Sequence, residues 1–298
     1  MSKPILSTHF ESRTPSDVRL AQIRYDKREK KPEAVINVAI GNVSLPTNPA
    51  MKKRMFELNG PESPFANGVI RYTGTAGTPE CQDAFKNILK SEGFKVDNLH
   101  VQVVDGGSAG MELVILGVCG PAGTDEKPLL MIDPAYTNYI SFAERVGRKT
   151  ITIKRQLDED GNFTLPDMNE IEELIKKYNP GGLLVIPYDN PTGQFYTYDL
   201  LKELAELCVK YNMWMISDEA YRELFYVEGE KLVSIWGLSD EDVPGIEGRR
   251  ISIETASKVW NACGLRIGAV ITDNAEFHTR SVAEYTANLC ANAIGQYI

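Results

Sequence analysis

The sequence predicts an α/β fold: a mostly parallel sheet sandwiched by helices. Three observations predict it. Short, continuously apolar runs recur along the second half of the chain. Amphipathic segments stand between them. Several of the runs close on Asp, Asn or Pro. A strand that is apolar on both faces needs cover on both faces, which a parallel sheet with flanking helices provides.

Each element follows from its pattern. "LAQIRYDKREKK" (20–31) and "DAFKNILKSEGF" (83–94) have helical spacing. "DGGSAGME" (105–112) is a glycine-rich stretch able to open a helix. "PLLMIDP" (128–134), "GLLVIPYDNP" (182–191), "MWMISDEAY" (213–221), "RRISIETAS" (249–257) and "RIGAVITDN" (266–274) read as strands with polar exits. "DMNEIEELIKKYN" (167–179) and "TYDLLKELAELCVKYN" (197–212) read as the helices between them. There is no internal repeat and no low-complexity segment.

Composition narrows the function. The 298 residues suffice for one large α/β domain or two ordinary ones, and 43% are hydrophobic, so a sizeable core is expected. The net charge of −9 argues against a nucleic-acid binder but leaves room for a local basic pocket. Cys81, Cys119, Cys208, Cys263 and Cys290 are scattered, with no CxxC pair. That pattern fits a reduced, cytoplasmic chain without disulfides or a zinc cluster. The three histidines show no metal-ligand spacing, so no metal is expected. The start lacks the apolar core of a signal peptide, and no run of eighteen apolar residues exists, so no membrane span is expected.

In open α/β sheets ligands bind beyond the carboxyl ends of the strands. Asp189 and Asn190 leave one predicted strand, Asp218 a second and Lys258 a third. The set suits a phosphorylated, nitrogen-containing ring that carries an aldehyde. Lys258 could form a Schiff base with the aldehyde. Asp218 could keep the ring nitrogen protonated. Asn190 could bond a ring oxygen. The amides opening the helix after "DGGS", with Ser257 and Arg266, could hold a phosphate. Each residue also has a plainer reading. The glycines suit an ordinary strand-to-helix turn, Asp218 could cap a helix, Tyr136 could be a core aromatic, and Arg266 could pair with a surface carboxylate.

The order and company of these residues resemble a known family. "YTGTAG" (72–77), "GGSAGME" (106–112), "DPAYTNY" (133–139), "DNPTG" (189–193), "SDEAY" (217–221) and "SKVWNACGLRIG" (257–268) resemble the fold-type I, pyridoxal-phosphate-dependent aminotransferases of class I/II. The resemblance implies pyridoxal 5′-phosphate as cofactor. It implies that Lys258 holds the cofactor and moves the proton, that Asp218 pairs with the pyridine nitrogen, and that Tyr221 and Asn190 bond the phenolic oxygen. Tyr136 would stack on the ring, while Ser108, Ala109, Ser257 and Arg266 would hold the phosphate. Tyr72 would reach the partner subunit's cofactor in a homodimer. Gly41, in "INVAIGNVSLPT" (36–47), would lie near the substrate carboxylate, with Asn190 also facing substrate.

The activity so implied is transfer of an amino group between an amino acid and a 2-oxo acid. A β-eliminating carbon–sulfur lyase and a non-catalytic cofactor-binding module are the alternatives. The resemblance also implies an organisation: residues 1–50 form part of a small domain, 51–298 the large cofactor-binding domain, and the C-terminal part of the small domain is absent. No residue here matches the family's arginine that clamps the substrate α-carboxylate.

Overall fold

A computed structural model describes residues 4–36, 38, 41–124, 126–165, 167–224, 226, 228–229 and 231–298. The chain divides into two compact units, Met1–Asn42 and Val43–Ile298. The first carries helices Thr8–Glu11 and Asp17–Asp26, whose N-caps Ser7 and Ser16 accept the Phe10 and Arg19 amides. Neither helix buries a residue.

The second unit contains the strands β1 (His100–Val104), β2 (Leu129–Asp133), β3 (Thr150–Lys154), β4 (Gln156–Leu157), β5 (Phe163–Thr164), β6 (Gly182–Val185), β7 (Trp214–Asp218), β8 (Arg250–Thr255) and β9 (Gly268–Thr272). Seven form one sheet in the order β1-β9-β8-β7-β6-β2-β3, and β4 pairs with β5 apart from it. The pairs β3–β2, β2–β6, β6–β7 and β7–β8 are parallel. Only β9 runs against its neighbours β8 and β1. The sheet is therefore mostly parallel, as its apolar runs predict. β1 and β3 were not among the predicted strands.

Alternation explains why both faces are covered. Leu183 and Val185 of β6 and Met215 of β7 enter one core cluster, whereas Leu184 and Ile216 enter the other. Helices Pro79–Ser91, Met168–Tyr178 and Tyr198–Lys210 supply the first side through Leu89, Ile171 and Leu204. Helices Gly106–Val118, Asn138–Arg145 and Ala275–Tyr285 supply the second through Val114, Phe142 and Phe277. Their starts are chemically marked: Thr78, Asp167, Thr197 and Asn274 each accept an amide of the first turn, and Pro79 follows Thr78.

One buried ion cluster joins the elements next to the strand exits. The side chain of Arg222 has no solvent exposure. Its Nε donates to Glu92 at 2.8 Å, Nη2 to Glu223 at 2.8 Å, and Nη1 to Glu254 at 2.9 Å and Glu219 at 3.3 Å. Ser217 and Ser234 hydroxyls each donate to Glu219 at 2.9 Å. With four carboxylates around one guanidinium, burial outweighs the attraction of Arg222 and pushes the Glu219 and Glu92 carboxyls up to about 7.

Removing Arg222 leaves several buried carboxylates without a cation, so Arg222→Met should cost about 3–5 kcal/mol in urea unfolding. The raised carboxyls fix the sign of a pH effect. Between the ordinary carboxylate range near 4.5 and about 7, the folded chain retains protons that the unfolded chain has released. Stability should fall as pH rises through that window, and Glu219→Gln should flatten the slope in unfolding curves taken from pH 5 to 8.

Candidate active site

The parallel strands deliver their exits to one edge. Asp218 closes β7, and Asn190 lies beyond β6. The loop carrying Ser257 and Lys258 follows β8, and the helix opening at Gly106 follows β1. Tyr136 lies three residues past the end of β2.

Asp218 is held from two sides by neutral donors. The Tyr139 hydroxyl donates a short hydrogen bond to Oδ2, and the Ala220 amide donates to Oδ1 at 3.0 Å. Burial raises the Asp218 carboxyl above the ordinary range, against the opposing effect of these two bonds. No lysine or arginine pairs with Asp218 among the described residues. Tyr139 is fully buried, and its hydroxyl is held well above the usual phenol range by burial and then by the Asp218 charge.

Aromatic side chains stand around this carboxylate. The Tyr136 ring meets Tyr139 edge-to-face, with centroids 5.5 Å apart at 85°. Asn138 Nδ2 donates to the Tyr136 hydroxyl at 2.7 Å. Asn190 Nδ2 lies 3.5 Å from the Tyr221 hydroxyl, at the limit of a hydrogen bond. Burial raises the Tyr136 and Tyr221 hydroxyls, and the Asp218 charge raises both further. Both phenols therefore stay protonated near neutrality. Arg266 acts on Tyr136 in the opposite direction, which brings the guanidinium into the same electrostatic neighbourhood.

The glycine-rich stretch forms a cradle. Gly106 has φ +81°, and a Cβ there would fall 2.3 Å from Arg266 Nη2. Glycine thus meets two demands at this position, the left-handed backbone and the close approach of a guanidinium. Asp105 occupies the N-cap position of the 13-residue helix Gly106–Val118 without capping it. Its carboxylate accepts instead the Tyr285 hydroxyl at 3.0 Å and the Asn292 amide at 2.9 Å. The helix start, positive by its dipole, therefore faces Arg266 without a side-chain acceptor from Asp105, and the pair forms a fitting seat for an anion. Gly268 permits this packing, since a Cβ there would lie 2.9 Å from the Gly107 amide nitrogen.

The remaining predicted residues fall as follows. Ser108 and Ala109 are half-buried in the first turn of that helix. Ser257 Oγ lies 2.7 Å from Thr255 Oγ1, and its amide donates to the same oxygen at 3.2 Å. Lys258 is half-buried, in a loop closed by Ala262 N–H donating to Ala256 O at 3.2 Å. Tyr72 is not brought to this cluster. It is 76% exposed and lines a separate cavity of about 550 Å³ with Phe65, Arg71, Thr73 and Tyr297. Gly41 lies exposed at the end of the first unit, and its neighbours Ala39 and Ile40 lie outside the described residues.

Two residues of this region were not foreseen from the sequence. Tyr139 had a signal, its i+3 spacing from Tyr136 in "DPAYTNY". Arg155 had none. It follows β3 and forms a buried ion pair with Asp189 at 2.9 Å.

The sequence model described as aminotransferase class I and II matches residues 33–296. The LL-diaminopimelate aminotransferase of Aquifex aeolicus is 30% identical over 258 residues, covering 84% of this chain and 61% of that protein. The aspartate aminotransferase of Pyrococcus horikoshii is 29% identical over 247 residues, covering 82% of this chain and 57% of that protein. The chain therefore spans about six-tenths of the length of these curated relatives. In fold it is similar to the aspartate aminotransferase of Thermotoga maritima, with a TM-score of 0.80 at 22% identity over 98% of this chain and 72% of that one. It is likewise similar to cystalysin of Treponema denticola, whose structure contains pyridoxal 5′-phosphate, with a TM-score of 0.75 at 17% identity over 92% and 66% of the two chains.

The cradle yields a prediction that needs no substrate. Gly106→Ala should strain the left-handed turn and displace the Arg266 guanidinium, at a cost of about 1–3 kcal/mol in chemical unfolding. The wild type should gain stability from millimolar inorganic phosphate, and the variant should gain less.

Proposed function

The chain belongs to the aminotransferase class I and II family, and on that premise we propose that it binds pyridoxal 5′-phosphate and serves to move an amino group between an amino acid and a 2-oxo acid. The observation that carries this reading is Asp218, a half-buried residue whose carboxylate is held by neutral donors at the same sheet edge as an anion cradle. A ligand with a cationic ring nitrogen at one end and a phosphate at the other matches both features. When bound, pyridoxal phosphate supplies a protonated ring that spreads the charge left when a substrate Cα loses its proton.

The chain's own residues divide the remaining work. Asp218 favours protonation of the ring nitrogen by offering a fixed negative charge in a poorly solvated place. Tyr139 and the Ala220 amide keep that carboxylate from rotating. Tyr136 offers an aromatic face, and Asn190 and Tyr221 offer paired donors for a phenolic oxygen. The helix opening at Gly106, the hydroxyls of Ser108 and Ser257, and the Arg266 guanidinium anchor the phosphate. Lys258 Nζ would hold the cofactor's aldehyde group and, as a free amine, would accept the substrate Cα proton.

Further elements belong to the same reading. Tyr72, exposed as it is, serves the partner subunit's site in a homodimer. Gly41 borders the substrate carboxylate, and residues 1–50 contribute to a small domain. The protein acts in the cytoplasm, in amino acid metabolism; no helix among the described residues is long and apolar enough to cross a membrane.

Addition of pyridoxal phosphate should produce a visible absorption band that borohydride bleaches, with the label mapping to Lys258 by mass spectrometry. A label on another lysine, or no band, would refute the assignment. Asp218→Ala should slow the half-reaction with an amino donor by ~100-fold or more while weakening cofactor binding far less. A donor panel run against 2-oxoglutarate and pyruvate tests transamination directly. Pyruvate and ammonia released from cysteine conjugates without any acceptor would mark the chain as a β-lyase instead.

A further inference from the structure

Asp189 leaves the same strand as Asn190, yet no role in holding the ring falls to it. Its side chain has no solvent exposure, and that of Arg155 has 3%. A buried ion pair contributes little net stability compared with apolar residues of the same shape, so its place next to a ligand calls for another reason.

The hydrogen bonds supply one. The Arg155 amide donates to Asp133 O at 2.8 Å, and its Nη2 donates to Pro134 O at 3.1 Å. Its Nη1 reaches Asp189 Oδ2 at 2.9 Å and Thr192 Oγ1 at 3.4 Å. Thr192 closes the second turn by donating its hydroxyl, through a short bond, and its amide, at 3.3 Å, to the same Asp189 oxygen. One residue therefore ties the turn that leads into Tyr136 and Tyr139 to the turn that carries Asn190.

Charge adds a second reason. The Asp189 carboxylate is near enough to Tyr139 to raise its hydroxyl, and Tyr139 is the group that bonds Asp218. Asp189 Oδ1, Arg155 Nε and the Tyr196 hydroxyl are buried and lack hydrogen-bond partners among the described residues.

We propose that Arg155 is a positioning residue: its guanidinium locks the 133–139 turn to the 189–193 turn, presets Tyr136, Tyr139 and Asn190 for a ring ligand, and cancels the Asp189 charge that reaches Tyr139. The ligand's identity rests on the proposed function; the lock itself does not.

The test compares wild type with Arg155→Met, Asp189→Asn and the double variant. Three readouts are used: amide hydrogen exchange of the cofactor-free protein, urea unfolding, and the Kd for pyridoxal phosphate by absorbance. Arg155→Met should speed exchange in both turns, lower stability and raise the Kd about tenfold, the scale of one charged hydrogen bond. The double variant should regain stability, since no unpaired carboxylate remains buried, while exchange stays fast and the Kd stays high. Unchanged exchange in either turn of the double variant would overturn the proposal, whether or not Arg155→Met folds. Joint recovery of stability and Kd in the double variant would overturn it too, by reducing Arg155 to a structural role. Failure of the wild type to bind pyridoxal phosphate would sink the proposed function, with the exchange data still deciding the lock.

Discussion

The guanidinium of Arg222 is the constraint on which the strand exits depend. It is buried among carboxylates from the end of β7, from β8 and from the residue after helix Pro79–Ser91. Asp218 is the residue before Glu219, and Lys258 stands four residues after Glu254. In a strand, consecutive side chains point to opposite faces. The backbone that turns Glu219 towards Arg222 therefore turns Asp218 the other way, towards Tyr139. The ion cluster thus sets the orientation of a neighbouring residue without touching it.

The sheet topology does the rest of the gathering. Parallel strands must exit at a common edge, so residues distant in sequence meet there. The reversal at β9 extends this logic. Because β9 runs backwards, its first residue, Gly268, lies at the edge where β8 ends, paired with Thr255. Arg266, just before it, is delivered to the helix that opens after β1. The left-handed backbone of Arg266, with φ 53°, belongs to that tight re-entry. Gly106 and Gly268 then let three segments approach within distances that a Cβ would forbid.

Much of this was legible in the sequence, and the limits are physical. The five predicted runs became strands because apolar residues on both faces leave little alternative. β1 was missed because Gln102 interrupts "HVQVV"; its side chain is buried with Nε2 donating to Thr75 O and Val103 O, bonds visible only in three dimensions. β3, "TITIK", carries polar residues because it lies at the end of the strand order and pairs with β2 alone. The direction of β9 leaves no mark on composition. Within the site, the strand-exit rule pointed to Asp218, Asn190 and Lys258 together. Arg155 escaped it, since a charged residue between two strands looks the same whether it faces water or a buried Asp189.

The pattern of buried charge gives Asp218 its meaning. Several carboxylates whose side chains are buried in the same half of the sheet have an arginine. Glu219 and Glu254 share Arg222, Asp189 takes Arg155, and Asp273 takes Arg250 at 2.7 Å. Asp218 receives a phenol and an amide instead. A residue needed only to cap the turn at Ala220 could sit in water at no desolvation cost. Here burial raises the carboxyl, and the two neutral donors offset the shift without cancelling it. A cation beside such a group gains more from it than from a solvated carboxylate. The chain thus gives its neighbouring carboxylates an arginine and gives this one two neutral donors, the contrast on which the proposed role of Asp218 rests.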